Sequence, residues 1–187
     1  PPPGTLCSSV GTFAASSAAF SAVDAAIGTT GSASPWTMNT GGWPGFIRVI
    51  GDMRAAISGL AGRLACRNRK PAPVARLGSL VEDMDRAARA GDREAFYPLN
   101  LAFHDTLGEA AGNHLLITEN QRLATKVHLF HRRGLVQTET LAQSNAEHRA
   151  IVDAIRSGDA QQAHDACFTH IAAGCSRLLA RLAAEEE

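Results

Sequence analysis

The segment REAFYPLNLAFHDTLGEAAGN, residues 93–113, is the clearest indication of the fold class of this chain. Apolar side chains recur in it every three or four residues, which is the spacing of one face of an α-helix. These side chains are Phe96, Leu99, Phe103 and Leu107. Gly112 and Asn113 follow, and such residues commonly end a helix. The segment therefore predicts an amphipathic helix that packs its apolar face against other elements.

Similar periodic stretches lie on both sides of this segment, separated by short breaks that contain Gly or Pro. They predict six helices, over residues 47–66, 74–90, 93–111, 114–133, 140–156 and 160–184. Residues 46–50 could instead form a strand, or simply lead into the first helix. Short connections place consecutive helices antiparallel. We therefore expect an all-α fold, a six-helix antiparallel bundle within a domain of residues 46–185.

Residues 1–45 differ in composition from the rest of the chain. They are rich in Ala, Ser, Gly and Thr, and Asp24 is their single charged residue before the bundle begins. Small side chains bury too little apolar surface to offset the entropy of ordering the chain. We therefore expect a low-complexity, poorly structured N-terminal segment, in which residues 13–27 could form a short helix.

The overall composition narrows the class of protein. Acidic and basic residues balance at 18 each, so the basic surplus of a typical nucleic-acid binder is missing. The four cysteines are scattered without a CxxC pair, which favours a reducing compartment. Neither a secretory signal peptide nor an apolar run of about 20 residues is present. These features predict a cytoplasmic protein with no membrane segment.

Three histidines lie on apolar stripes where a helical protein should have core. His148 is central to the stripe of the fifth helix, and His170 is central to that of the sixth. His104 shares the flank of the third helix with Asn100, and their Cβ atoms are about 6 Å apart at i,i+4 spacing. Ligand-capable side chains from several helices are a common way to build a metal site inside a bundle. A lone buried histidine is more often a hydrogen-bonded core residue, and that alternative stays open.

The residues also resemble a known family. The segment from Asn100-Leu-Ala-Phe-His104 to Gly112-Asn113 is similar to the "D-x-x-F-H … A-x-G-N" signature of the ligand-sensing (FCD) domain in FadR-like GntR transcription regulators. Ser144 to Ile151 resembles the "S-x-x-E-H-x-x-I" element of that domain, and residues 154–159 resemble "A-I-x-x-G-D". His170-Ile171 resembles its final "H-I". The resemblance covers roughly residues 46–182, with the motifs in the family's order.

This resemblance implies a helical bundle that dimerises and senses a small carboxylate or sugar acid. It also implies a divalent metal held by an Asp and three His. Carried over, these positions are Asn100, His104, His148 and His170. Asn100 departs from the commoner Asp and brings an oxygen without a charge, so the metal, whether Zn, Ni or Mn, should bind less tightly.

The same resemblance implies which residues bind the effector. Arg54 aligns with an Arg on the first helix that pairs with an effector carboxylate, since a guanidinium can donate two hydrogen bonds to it. Ser58 replaces a Glu that commonly follows. Arg132 or Arg133 on the fourth helix could add a second cation, although a surface position is the alternative for each. Ser144, on the inward stripe of the fifth helix, is a further candidate for contact with the effector.

Full-length relatives of this type begin with a winged helix-turn-helix, and its pattern is not readable in residues 1–45. The Arg and Lys residues that would contact phosphates are also missing there. We therefore expect a truncated, decayed or frame-shifted DNA-binding domain, and DNA as a partner only if an intact one is present.

Three functions remain open at this point. The first is a homodimeric, metal-assisted effector sensor from a transcription regulator, which is not an enzyme. The second is a metal-dependent hydrolase that uses the three histidines. Against it, Glu147 should point away from the site because it precedes His148, so no general base is evident. The third is a metal-free dimerisation module.

Overall fold

A computed structural model describes the backbone of residues 42–134 and 138–184, and the side chains of residues 44–126 and 140–184. The predictions for residues 1–41, including the low-complexity segment and the short helix over 13–27, lie outside the described residues. So does the side chain of Arg132. The helices described below all belong to one compact unit, Thr40–Glu187.

The described residues form six helices joined by short connections. They are α1 (Gly42–Asn68), α2 (Pro71–Arg89), α3 (Arg93–Ala111), α4 (His114–Gly134), α5 (Thr138–Ser157) and α6 (Ala160–Ala184). The prediction of an all-α, six-helix antiparallel bundle is confirmed. Within the described ranges, no helix combines the length and the apolar character that a membrane crossing requires.

Most helix boundaries follow the local signals in the sequence. Asp92 caps α3 by accepting a hydrogen bond from the Ala95 amide at 2.9 Å, and Gly112 ends that helix at a φ of 64°. The Asp159 carboxylate accepts bonds from the amides of residues 161 and 162, so it caps α6 as predicted. These caps position α3 and α6, the two helices that carry His104 and His170.

The first helix departs from its predicted start. It begins at Gly42, and the alternative of a strand over residues 46–50 is wrong. Ile47 and Ile50 are both buried, and their spacing of three residues matches a helix face rather than the alternation of a strand. Proline also misled the prediction for α2, which begins at Pro71, because proline is well tolerated in the first turn of a helix.

The core consists of two apolar clusters. The larger contains Phe96, Phe103 and Met84 among many others and draws on all six helices. The smaller contains Ile47, Ile50, Leu123 and Leu178. Along α1, the buried polar residues Arg54 and Ser58 fall between the two clusters, and along α6 the buried His170 does the same. A polar layer therefore crosses the bundle between two apolar regions.

The close approach of α1 and α6 brings the two sides of this layer together. A Cβ atom at Gly62 would collide with the backbone oxygen of Ala163, and one at Gly51 would collide with the sulfur of Cys175. Glycine at these two positions lets the helix backbones approach more closely than side chains would permit. As a result, Arg54 on α1 and His170 on α6 face the same space.

Candidate metal centre and effector cavity

Three imidazole rings meet in the polar layer. His104 comes from α3, His148 from α5 and His170 from α6, and one ring nitrogen of each lies within 4.8 Å of the other two. The ring centroids are 5.5 Å apart for His104 and His148, 5.3 Å for His104 and His170, and 4.3 Å for His148 and His170. The structure therefore brings together the three histidines that the helical periodicity singled out.

His148 is the most deeply placed of the three. Its side chain is fully buried, with the ring of Phe103 packed at a centroid distance of 4.4 Å. Burial lowers the pKa of His148 well below its usual value, and the nearby charges of His170, His104 and Arg177 lower it further. The imidazole is therefore neutral at physiological pH, which is the form that binds a metal.

The two ring nitrogens of His148 have no hydrogen-bond partner among the described residues. Leaving a buried polar group unsatisfied costs about 1–3 kcal/mol, so an arrangement of this kind calls for an explanation. A divalent ion held by the three rings would supply one, since it would bind one of these nitrogens. The donor set therefore fits a metal such as Zn or Ni.

Glu147 hydrogen-bonds to one histidine of the cluster and to a nearby arginine. His170 Nδ1 donates to Glu147 Oε2 at 2.8 Å, while Arg177 Nη1 and Nη2 donate to Oε1 and Oε2 at 2.7 and 2.9 Å. Burial alone would raise the pKa of Glu147, but the hydrogen bonds from His170 and Arg177 outweigh it and lower that pKa to about 2. Glu147 is thus an ionised carboxylate with both oxygens engaged.

The prediction that Glu147 points away from the site is therefore wrong. Adjacent helical residues project about 100° apart. The geometry of α5 and α6 nevertheless lets Glu147 reach His170 while His148 remains beside it. Since its oxygens are held by Arg177 and His170, this carboxylate is not poised as a general base for hydrolysis.

A cavity of about 300 Å³ opens beside the histidines. Of the predicted site residues, Arg54, Asn100, His104, Ser144 and His170 line it. Asn100 is one turn before His104 on α3, so its amide faces the same space. The structure thus gathers most of the predicted metal and effector positions around a single cavity. The exceptions are His148, which is fully buried and does not line it, and Arg132, whose side chain is not described.

Arg54 supplies a buried cation to this cavity. Its side chain is only 7% exposed, and burial lowers its pKa, with Cys175 and Tyr97 acting in the opposite direction. A guanidinium stays protonated in proteins even when it is desolvated. An anion that entered the cavity would therefore meet a positive charge in a poorly hydrated setting, where the attraction is stronger than in water.

Several lining residues were missed by the sequence analysis. Most of them carry groups that donate or accept hydrogen bonds, namely Tyr97, Asn120, Gln121, Thr125, Thr140 and Arg177. Periodicity could have identified Arg177, because it lies seven residues after His170 and thus about two turns along the same face. The residues from α4 gave no such signal, since their helix resembles any amphipathic surface helix.

The chain is similar in sequence to a known domain family and to two curated proteins. A family model described as the FCD domain matches residues 50–173. The "Probable D-xylose utilization operon transcriptional repressor" of Paenarthrobacter nicotinovorans is 36% identical over 123 residues, which cover 65% of this chain and 53% of the relative. The "Galactonate operon transcriptional repressor" of Escherichia coli K12 is 26% identical over 148 residues, 76% of this chain and 62% of the relative.

The chain thus spans between about half and three fifths of the length of these curated relatives. Among solved structures, E. coli McbR/YncC is similar with a TM-score of 0.63 and 18% identity, covering 72% of this chain and 64% of that chain. At this level of identity the structural likeness supports the fold alone.

Proposed function

The chain belongs to the FCD domain family, the regulatory ligand-sensing domain of GntR-type transcription regulators, and on that premise we propose that it is a metal-assisted sensor of a small carboxylate. The family role is regulatory and not catalytic. The observation that carries the proposal is the convergence of three imidazoles, one of them with both nitrogens unpartnered among the described residues, beside a cavity with a buried arginine.

In this proposal His104, His148 and His170 hold a divalent ion, and Asn100 offers its amide oxygen as a further ligand. Zn, Ni and Mn are the candidates, because imidazole suits the first two and oxygen donors suit the third. A bound ion would attract the carboxylate of an effector as a Lewis acid. None of the four ligands carries a negative charge, so an anionic effector would neutralise the ion more effectively than the protein does.

The effector class follows from the remaining lining residues. Arg54 binds one carboxylate through two parallel hydrogen bonds, and side chains such as Asn120, Thr125 and Ser144 are suited to hydroxyl groups. A polyhydroxylated carboxylate of the sugar-acid type satisfies both. The name of one relative, a galactonate-operon repressor, supports this class for the present chain. The other relative is named for D-xylose, a neutral sugar, and supports only a polyhydroxylated ligand.

Regulation requires that effector binding change the packing of the bundle. The cavity is lined by residues of α1, α3, α4, α5 and α6, so an occupant contacts helices that could shift relative to one another. An effector favours whichever helix arrangement it binds better. We propose that residues 46–185 are the sensor, that residues 1–45 are a separate low-complexity segment, and that the protein acts as a cytoplasmic homodimer which reaches DNA only through an intact DNA-binding domain.

The first experiment measures the metal content of the purified chain by mass spectrometry, beside His104→Ala and the control His114→Ala. His114 is exposed at the start of α4 and lies outside the cluster. We expect stoichiometric metal in the wild type and in His114→Ala, and its loss in His104→Ala. Equal metal in all three variants would place the ion elsewhere. Its absence from all three, with no response to added Zn, Ni or Mn, would favour a metal-free dimerisation module.

The second experiment tests the effector class by thermal shift and calorimetry with D-galactonate, the neutral sugar galactose and acetate. We expect galactonate to bind most tightly. Arg54→Lys should lower its affinity about tenfold, because lysine cannot donate the paired hydrogen bonds of a guanidinium. Equal binding of galactose and galactonate would contradict a carboxylate-specific site.

A further inference from the structure

The carboxylate of Glu147 connects a metal-ligand candidate to an arginine across two helices. It lies on α5, and both of its partners, His170 and Arg177, lie on α6 about two turns apart. We propose that Glu147 is a positioning residue, which holds His170 with its Nδ1 hydrogen toward the carboxylate and its Nε2 lone pair available for the metal. This inference rests on the proposed metal-assisted function.

The chemistry of the two groups determines the direction of the hydrogen bond. An ionised carboxylate can only accept, so Nδ1 of His170 must be the donor at the observed 2.8 Å. A metal-ligating imidazole is neutral and carries a single N–H, so placing that hydrogen on Nδ1 leaves Nε2 as the ligand atom. Metal-ligating histidines commonly donate their second nitrogen to a carboxylate in this way, which fixes the ring and strengthens the ligand.

Arg177 determines how the carboxylate itself is held. Its two terminal nitrogens donate to different oxygens of Glu147, at 2.7 and 2.9 Å, in the two-bond geometry that fixes a carboxylate most firmly. A carboxylate that contacts one of the three imidazoles could otherwise turn and become a direct ligand. The pair therefore keeps Glu147 outside the ligand set, where it supports His170 without occupying a metal position that an effector could use.

The two buried histidines are consequently held by different means. His148 lacks a hydrogen-bond partner among the described residues, and its ring is held by packing against Phe103. His170 is held by a charged hydrogen bond. Loss of Glu147 should therefore alter the tautomer of His170 and leave that of His148 unchanged.

The test uses ring ¹⁵N NMR on the metal-free chain, in the wild type, Glu147→Ala and Glu147→Gln. We expect His170 in the wild type to carry its proton on Nδ1, and Glu147→Ala to shift the population toward the Nε2–H form. Glu147→Gln should give an intermediate ratio, since an amide oxygen is a weaker acceptor than a carboxylate. If Glu147→Ala does not fold, Glu147→Gln decides by the same ratio. An unchanged ratio in the folded variants overturns the proposal.

Calorimetric titration with Zn²⁺ supplies the second readout. We expect Glu147→Ala to bind about 10–100-fold more weakly than the wild type, as is usual when an outer carboxylate partner is removed. The control is Glu82→Ala, which removes the exposed Glu82–Arg149 ion pair between α2 and α5 without touching a histidine. Its Zn²⁺ affinity should match that of the wild type. Equal losses in both variants would mean that Glu147 acts only through general stability, and would overturn the proposal.

The two readouts separate the failure of this inference from that of the proposed function. If the wild type binds no metal, the metal-assisted function fails, while the tautomer ratio still decides whether Glu147 orients His170. If the wild type binds metal and the ratio and affinity do not respond to Glu147, the function stands and the positioning role is excluded.

Discussion

The larger apolar cluster and the polar layer beside it share helices α1, α3, α5 and α6 but bury side chains of opposite character. In the cluster, Phe96, Leu77 and Met84 are fully buried among other apolar side chains. In the polar layer, Arg54, His148 and His170 are almost as deeply buried, yet Arg54 and His170 line a cavity of about 300 Å³. The cluster stabilises the bundle, whereas the layer places charged and polar groups where burial is costly.

This contrast indicates where a helical bundle is suited to bind a ligand. An apolar stripe interrupted by histidine or arginine on several helices at the same level lowers stability, unless a ligand compensates for the buried polar groups. The interruptions at Arg54, His148 and His170 fall at one level because the helices that carry them pack side by side. In the metal-free protein, truncating a side chain of the cluster should therefore lower the free energy of unfolding, whereas replacing a polar group of the layer with an apolar one should raise it.

The largest effect on stability is expected in the apolar cluster. Phe96→Ala removes a fully buried ring, and such truncations cost about 3–5 kcal/mol through lost transfer free energy and the cavity that remains. Denaturant unfolding of the metal-free protein measures this loss. Leu115→Ala is the control, because Leu115 is 71% exposed and its truncation should change the unfolding free energy by less than about 0.5 kcal/mol. Similar losses in both variants would contradict the assignment of the core.

A change in the polar layer should have the opposite sign in the metal-free protein. His148→Leu replaces two unpartnered ring nitrogens with apolar atoms of similar bulk, so the free energy of unfolding should rise by about 1–3 kcal/mol. In the wild type, Zn²⁺ at 100 times its Kd should add about 2.7 kcal/mol, and the variant should gain nothing. Both values come from denaturant unfolding with and without metal.

Two outcomes would contradict the prediction for His148→Leu. A metal-free His148→Leu variant less stable than the wild type would mean that the ring nitrogens are already satisfied. A variant that still gains stability from Zn²⁺ would mean that the ion binds away from the three histidines.

A smaller effect should follow from restoring a charge to the layer. Asn100→Asp replaces a neutral oxygen donor with a carboxylate, so the affinity for Zn²⁺ or Mn²⁺ should rise about tenfold, equivalent to roughly 1.4 kcal/mol. Competition titration of both proteins against a chelator measures the change. Unchanged affinity would show that residue 100 contacts the effector or solvent and does not contact the ion.

Much of the fold could be predicted from the sequence because its signals are local. The bounds of α3 agree with the prediction, since Asp92 and Gly112 mark both ends by hydrogen bonding and backbone conformation within a few residues. The start of α1 was missed because the stretch GGWPGF, residues 41–46, is rich in Gly, contains Pro and shows no helical period. Proline at Pro71 was taken as a break, although it is compatible with the first turn of α2.

The candidate site was also predictable from the sequence only in part. Periodicity predicts that His148 and His170 face inward, because each helix must bury its own stripe. It could not predict the contact of Glu147 with Arg177, since these residues are 30 positions apart and lie on helices whose relative rotation is set by packing. The cavity-lining residues of α4, such as Asn120 and Thr125, were missed for the same reason.

The six helices, the caps of α3 and α6 and the residues that interrupt each apolar stripe can therefore be predicted from the sequence alone, because hydrogen bonds and side-chain periods act over a few residues. The folded bundle is needed to show that these interruptions meet at one level, that His148 lacks a partner among the described residues, and that Glu147 turns toward His170. Such facts depend on how closely α1 approaches α6 and how α5 is rotated against it. Those quantities arise from the packing of the whole bundle and are not properties of any single segment.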